Sequence, residues 1–253
     1  MNRYFIYLAY NGKNYCGWQI QPNAPSVQQT LEKALGIYLQ RPTPVVGAGR
    51  TDAGVHARGM VAHFDGEEGE EKTGNLPLLT GKLNRLLPKD IAIAQILPVR
   101  SDAHARFDAL SRTYHYYITS HKNPFNQDQV CRLAGDPDFE AMNKACAELY
   151  PYTDFSSFSK LHSGAKTNLC HITHAAWENQ GDVWRFTITA NRFLRNMVRA
   201  IVGTLLDVGR GKLTSEDFRA VIEAENRAKA GCSAPAHALF LENITYPESV
   251  FQK

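Results

Sequence analysis

The residues best suited to chemistry lie in one short stretch, VVGAGRTDAGVHARG, which runs from Val45 to Gly59. Asp52 follows Arg50 by two residues, and glycine and alanine occupy most of the positions around them. An aspartate beside glycine is commonly a turn former. A single carboxylate with arginine partners also suits a nucleophile or a base that must stay ionised. Both interpretations stay open on this stretch alone.

Several other chemistries are not supported. No second acidic residue lies close to Asp52 in the sequence, which argues against a paired-carboxylate glycosidase or a two-metal site. The glycine patterns that hold nucleotide phosphates are absent. The cysteines are odd in number, widely spread and without C-x-x-C spacing, so we expect reduced structural thiols. In CHITH (Cys170 to His174) the side chains would alternate between two faces of a strand, which does not make a tetrahedral metal site.

Two further segments carry residues with alternative roles. The segment RFLRNMVRAIVGTLLDVG predicts a long helix from Arg192 to Gly209, and helical geometry places its three arginines within about 60° of one another. That face is either exposed to solvent or a basic surface that a large group approaches. Ala200 and Gly203 lie near it, and such small residues would allow the close approach of the second alternative. The arginines are Arg192, Arg195 and Arg199.

The strand-like segment SRTYHYY places Tyr114 and Tyr116 on one side and His115 on the other. Each tyrosine either packs in the core or, near a basic surface, stacks on an unpaired nucleic-acid base.

The composition describes a folded protein. The chain has 253 residues, of which 43% are apolar and 21% charged, with a formal net charge of +3. That charge is too small to demonstrate a nucleic-acid partner, but arginines beside the glycine-rich and aromatic stretches could form local basic patches. No apolar run approaches the roughly 18 residues of a membrane span, and the first residues do not resemble a signal peptide. We therefore expect no membrane association and a cytoplasmic location.

Strands and helices alternate irregularly, which favours an α+β fold with largely antiparallel sheet over a doubly wound fold. Strand-like VVGAG and GMVAHFD flank the Asp52 stretch, which we therefore expect on a loop. The sequence predicts a helix that begins at Ser26, SVQQTLEKALGIYL. We predict two halves: residues 1–103 with the Asp52 loop, and residues 104–253 with the Tyr114 strand and the arginine helix.

Several motifs in the same order resemble the tRNA pseudouridine synthase A family. GAGRTDAGVHA is similar to its catalytic signature, and YNGKNYCGWQIQPNAPSVQQTLEKAL to its opening strand and helix. DAHARFDALSRTYHYYI, YTDFSSFSK and FLRNMVRAIVGTLLDVGRGK resemble its later motifs. The chain departs from the family at Tyr152, where many members have histidine, and at Ala238, where glycine is common.

The resemblance implies a pseudouridine synthase fold, in which two α+β halves join their sheets and enclose an active cleft. It implies Asp52 as the catalytic carboxylate, Arg199 as its partner, and Tyr114 as the residue that stacks on the target base and helps to remove its C5 proton. It also implies that Arg50 enters the RNA stem and holds the flipped nucleotide. Four further residues match stretches that contact tRNA: His104, Arg106, Lys166 and Thr167.

The implied reaction converts uridine to pseudouridine at positions 38, 39 and 40 of the tRNA anticodon stem-loop, in a homodimer and without metal or organic cofactor. The alternatives are a pseudouridine synthase for other RNA uridines and a non-catalytic RNA-binding protein of the same fold. The same residues would serve attack of Asp52 on C1′ of the ribose or removal of a proton from C2′.

Overall fold

A computed structural model describes residues 2–67, 69, 71–160 and 167–251, and the chain divides into two compact units. Unit one contains Met1–Leu110 and Leu241–Lys253, and unit two contains Ser111–Phe240. The division falls after Leu110, later in the chain than the predicted boundary after residue 103, and the last part of the chain returns to unit one. None of the helices in the described ranges has the length and apolar character needed to cross a bilayer.

Antiparallel strands form the sheet of unit one. Strand β1 (Asn2–Tyr10) lies between β3 (His56–Gly66) and β4 (Ile91–Val99), and a short β2 (Val46–Gly47) pairs with β3. The last strand, β9 (Leu239–Thr245), has Leu241–Thr245 in this unit, beside β3. The register pairs Ile6 with Ala62, both fully buried, so the core lies against the middle of this sheet.

Helix α1 (Val27–Leu39) begins as predicted at Ser26, whose hydroxyl accepts a hydrogen bond from the Gln29 amide at 3.2 Å. Its apolar positions recur at helical spacing, and Leu31 and Leu35 are fully buried. The second helix of this unit is α2 (Leu76–Leu86), which packs on β4.

The strands of unit two are mostly antiparallel. Strand β8 (Trp184–Ala190) lies between β5 (Ser111–Thr119) and β7 (Ile172–Asn179), and the short β6 (Cys131–Arg132) runs parallel to β5. The described residues of this unit form the α-helices α3 (Phe139–Ala147), α4 (Met197–Gly209) and α5 (Ser215–Glu223). The predicted α+β fold with largely antiparallel sheet is confirmed.

The start of α4 corrects one prediction. The helix begins at Met197 and not at Arg192, because Asn196 has a left-handed backbone with φ of 65°. Asparagine tolerates this conformation, which ends any helical path through the preceding residues. Arg192 and Arg195 therefore precede the helix, and the predicted helical face of three arginines is wrong: only Arg199 lies on α4.

Candidate active site

Asp52 lies on the loop between β2 and β3, as predicted. The carbonyl of Thr51 accepts a hydrogen bond from the Trp18 amide at 3.2 Å, and the Thr51 hydroxyl is 2.8 Å from the Tyr10 hydroxyl. The Val55 amide donates to the Asp52 carbonyl at 3.1 Å and closes a turn that begins at Asp52, a half-buried residue. The backbone that carries Asp52 is thus fixed on both sides of the residue.

The glycines of this stretch have different environments. A β-carbon at Gly47 would overlap the indole of Trp18, and one at Gly59 would overlap the carbonyl oxygen of Glu242. At Gly49 a β-carbon would meet no atom within 4 Å. Packing within the chain therefore explains Gly47 and Gly59, whereas the open space at Gly49, next to the exposed Arg50, is where a ligand could approach.

The two tyrosines of β5 have different surroundings although they share a face. Tyr116 is fully buried, and its hydroxyl donates to the carbonyl of Pro235 at 3.0 Å. Burial raises the pKa of Tyr116 well above its usual range. Tyr114 is half-buried, pairs with Ile188 of β8, and packs nearly at a right angle to the ring of Phe193, with ring centres 5.1 Å apart. The core interpretation therefore holds for Tyr116, and Tyr114 keeps part of its ring accessible.

Arg199 lies in the first turn of α4 and is half-buried. Its Nε donates to the carbonyl of Ala234 at 2.7 Å, and the Ala234 amide donates to the Arg199 carbonyl at 2.9 Å. Ser233, the residue before, accepts a hydrogen bond from the Asn196 side chain at 2.6 Å. The segment Asn226–Pro235, here called the strap, therefore crosses the beginning of α4 and holds the Arg199 side chain.

The strap also contacts α4 at Gly203 and Thr204. A β-carbon at Gly203 would overlap the carbonyl oxygen of Cys232, and the Gly231 amide donates to the hydroxyl of Thr204 at 2.9 Å. Within the strap, Arg227 donates to the carbonyls of Ala230 and Gly231 and to the Ser233 hydroxyl. Ala200 and Gly203 are buried, so the large group expected to approach Gly203 is the backbone of this same chain.

The remaining predicted contact residues divide between the units. His104 and Arg106 share one loop of unit one, where the His104 Nδ1 accepts a hydrogen bond from the Arg106 amide at 3.1 Å. Arg106 is exposed, as is Thr167 in unit two. Lys166 lies outside the described residues. Asp52 and Arg50 belong to unit one, and Tyr114 and Arg199 to unit two.

Two parts of these surroundings were not anticipated from the sequence. One is the strap, whose only sequence signal is the run of small residues in AKAGCSAPA. The other is the position of Tyr152, whose hydroxyl donates to the Glu223 carboxylate of α5 at 2.5 Å. The departure from histidine at Tyr152 therefore places a side chain in contact with α5.

Three of the five cysteines are buried. None of the five is in a disulfide. Burial raises the pKa of the Cys131, Cys146 and Cys170 thiols, which disfavours the reactive thiolate. In the part of the chain that the structure describes, no three His, Cys, Asp or Glu residues are grouped to hold a metal ion.

The chain is similar in sequence to several known proteins. A family model described as tRNA pseudouridine synthase matches residues 6–108 and 145–247. A protein named tRNA pseudouridine synthase A from Parabacteroides distasonis is 64% identical over 99% of this chain and 98% of its own length. Proteins of the same name from Bacteroides thetaiotaomicron and Exiguobacterium sibiricum are 59% and 37% identical, over 100% and 98% of this chain and 94% and 98% of their own lengths.

Proposed function

The chain belongs to the tRNA pseudouridine synthase family, and we propose that it converts uridines 38, 39 and 40 of the tRNA anticodon stem-loop to pseudouridine. It is thus an isomerase that acts on tRNA. We propose further that it works in the cytoplasm as a homodimer. The observation that carries the proposal is the 64% identity along almost the whole chain, with Asp52 on a loop that hydrogen bonds fix from both sides.

The proposed reaction rearranges one nucleotide without a second substrate. The bond between N1 of uracil and C1′ of the ribose breaks, the base turns within the site, and a bond forms between C5 and C1′. The proton on C5 is lost and N1 gains one, so the atoms balance. Asp52 is the proposed catalytic carboxylate, whether it attacks C1′ or removes a proton from C2′.

Tyr114 is proposed to stack on the target base and to help remove the C5 proton. Tyr114 is half-buried and its ring packs against Phe193, which supports this role because a stacking side chain must be both accessible and held in place. A base that has left the helix loses stacking and pairing worth a few kcal/mol, so a prepared aromatic surface favours the flipped state.

Arg199 is the proposed cationic partner of the reacting carboxylate. A guanidinium is planar and can form two parallel hydrogen bonds with a carboxylate. The Nε of Arg199 is bound by the Ala234 carbonyl, so the plane of the group is set before substrate binds. The two terminal nitrogens of Arg199 are proposed to bind Asp52.

The remaining proposed site residues bind the RNA and do not take part in the reaction. The exposure of Arg50, Arg106 and Thr167 supports contacts with phosphate, because backbone contacts supply most of the affinity for nucleic acid. Arg50, at the open side of the Asp52 loop, is proposed to fill the space that the flipped base leaves. His104 and Lys166 complete the proposed set.

The experiment that tests the proposal is release of tritium from an unmodified tRNA transcript that carries [5-³H]uridine. The reaction must give up the hydrogen on C5, so the assay reports isomerisation itself. We expect release by the natural chain and a loss of at least about 100-fold in Asp52→Asn. The matched control, Asp102→Asn, changes an aspartate whose side chain is 73% exposed and should leave the rate unchanged.

Two results would contradict the proposal in different ways. If neither the natural chain nor Asp102→Asn releases tritium while both bind the transcript, the chain is an RNA-binding protein without this activity. If tritium is released but the modified nucleotides map outside positions 38, 39 and 40, the isomerase remains and the proposed target is wrong.

A further inference from the structure

The loop Ala103–Asp108 is ordered by hydrogen bonds among its own residues. The Nδ1 of His104 accepts from the amides of Arg106 at 3.1 Å and Phe107 at 3.3 Å. The Asp108 carboxylate accepts from the His104 amide at 2.8 Å, and the Asp108 amide donates to the His104 carbonyl at 3.0 Å. His104 is therefore the centre of this loop as well as a predicted RNA contact.

The same loop is anchored to the body of unit one. The buried His63 of β3 accepts at Nδ1 from the Ala105 amide at 3.1 Å, and the Tyr246 hydroxyl donates to the Ala105 carbonyl at 2.5 Å. Arg3 donates to the Ala103 carbonyl at 2.9 Å while it also binds Asp65. Ala103 and Ala105 are fully buried. The loop conformation is thus set without a ligand.

This fixed loop presents an aromatic ring to solvent. Phe107 is 73% exposed although phenylalanine is usually buried. Its ring lies 4.3 Å from that of His104, and the guanidinium carbon of Arg106 lies 5.6 Å from the ring centre. An exposed aromatic ring beside a guanidinium combines the two groups that bind single-stranded nucleic acid: a stacking surface for a base and a cation for the neighbouring phosphate.

We propose that Phe107 is a stacking platform for an unpaired base of the RNA substrate, separate from the reacting base assigned to Tyr114. Arg106 binds the phosphate next to that base. This inference rests on the proposed function for the identity of the ligand as RNA. Because the loop is ordered beforehand, stacking on Phe107 requires little additional loss of conformational freedom.

The first test compares the affinity of substituted chains for an unmodified tRNA transcript. Stacking on an aromatic side chain contributes enough that we expect Phe107→Ala and Phe107→Leu to weaken binding by about 5-fold to 100-fold. Phe107→Trp keeps an aromatic face and should bind within about twofold of the natural chain. The matched control is Phe125→Ala, because Phe125 is 97% exposed on the other unit and should not affect the affinity.

The salt dependence of binding separates stacking from charge. Phe107→Ala should leave the slope of log K against log salt unchanged, since it removes no cation. Arg106→Gln should reduce that slope by about one. Tryptophan fluorescence gives a direct signal: Phe107→Trp should be quenched by the transcript more than the natural chain is, and an RNA duplex without unpaired bases should not cause this extra quenching.

Three results would overturn the inference. One is binding of Phe107→Ala within twofold of the natural chain. Another is an equal loss of affinity in Phe125→Ala. The third is a change in the sedimentation of free Phe107→Ala with unchanged RNA affinity, which would make this ring a protein contact. Each binding measurement is repeated in the Asp52→Asn background, in which no turnover is expected. Because affinity is measured without turnover, a natural chain that releases no tritium would contradict the proposed activity and would leave the stacking result unaffected.

Discussion

Arg199 and Ala234 bind each other in both directions: the Arg199 Nε donates to the Ala234 carbonyl, and the Ala234 amide donates to the Arg199 carbonyl. The first of these bonds uses a side-chain nitrogen and therefore sets the orientation of the guanidinium plane. A positive charge alone would not require it. The strap thus determines where the remaining nitrogens of Arg199 point, which matters if they bind a carboxylate in a bidentate manner.

Replacing Arg199 with lysine keeps the charge and removes the planar group. We expect Arg199→Lys to lower kcat for tritium release by up to about 100-fold, because a small misplacement of a positioning group can cost that much. KM for tRNA should stay within about twofold. The control is Arg195→Lys, at an exposed arginine before α4. A kcat close to that of the natural chain would show that only the charge is needed.

The contact between α4 and the strap leaves no room for a side chain at Gly203. Gly203→Ala should therefore lower the free energy of unfolding by about 1–3 kcal/mol, the usual cost of overpacking. Gly81→Ala is the matched control, because Gly81 lies within α2 and its β-carbon would meet no atom within 4 Å. That change should raise stability by about 0.5–1 kcal/mol. Denaturant unfolding measures both; equal effects would contradict the close approach of the strap.

The role of the Tyr114 hydroxyl can be tested separately from the role of its ring. Tyr114→Phe retains a stacking surface and loses the group proposed to help remove the C5 proton. We expect unchanged binding of the transcript and a loss in tritium release of about 100-fold or more, in the range of acid–base catalysis. Tyr117→Phe, on the same strand, should change neither. If Tyr114→Phe turned over normally, the tyrosine would act by stacking alone.

The buried imidazole of His63 makes stability depend on pH. Burial, with Arg3 and His104 adding to the effect, lowers the pKa of His63 from its ordinary value of 6.5 to about 4. Above pH 6.5 both the folded and the unfolded chain hold it neutral. As the pH falls toward about 4, the unfolded chain binds a proton that the folded chain does not, so this group removes about 3 kcal/mol of stability.

His63→Asn tests this dependence while an amide oxygen can still accept from Ala105. The free energy of unfolding should fall less between pH 7 and pH 4.5 in His63→Asn than in the natural chain. His174→Asn, at an exposed histidine, should match the natural chain. His104, whose pKa burial also lowers, contributes in the same direction and is present in all three proteins. An unchanged pH profile in His63→Asn would contradict the assignment.

The sequence predicted the elements whose signals are local. The cap at Ser26 and the apolar spacing of Leu31 and Leu35 define α1, and the structure confirms both. The loop position of Asp52 followed in the same way from the strands on either side. These signals depend on residues within a few positions of one another, so one segment of sequence contains them completely.

The structure differs from the sequence-based predictions where a distant segment or a single backbone angle determines the conformation. The letters before α4 continue a helical pattern, but the left-handed backbone of Asn196 interrupts it. Gly203 is small because Cys232, remote in sequence, lies against it. Phe107 resembles any core phenylalanine in the sequence, and only the folded loop shows that its ring faces solvent. Such features depend on tertiary contacts, which local patterns do not encode.

The return of Leu241–Thr245 to unit one affects the order in which the protein folds during synthesis. When a ribosome has completed residue 110, the segment that contains Glu242 and packs against β3 around Gly59 has not yet been synthesised. Unit two, residues 111–240, is continuous and can fold as it emerges. An unpaired strand edge favours aggregation. The nascent first unit should therefore be the species that depends most on chaperones, until the last strand has been made.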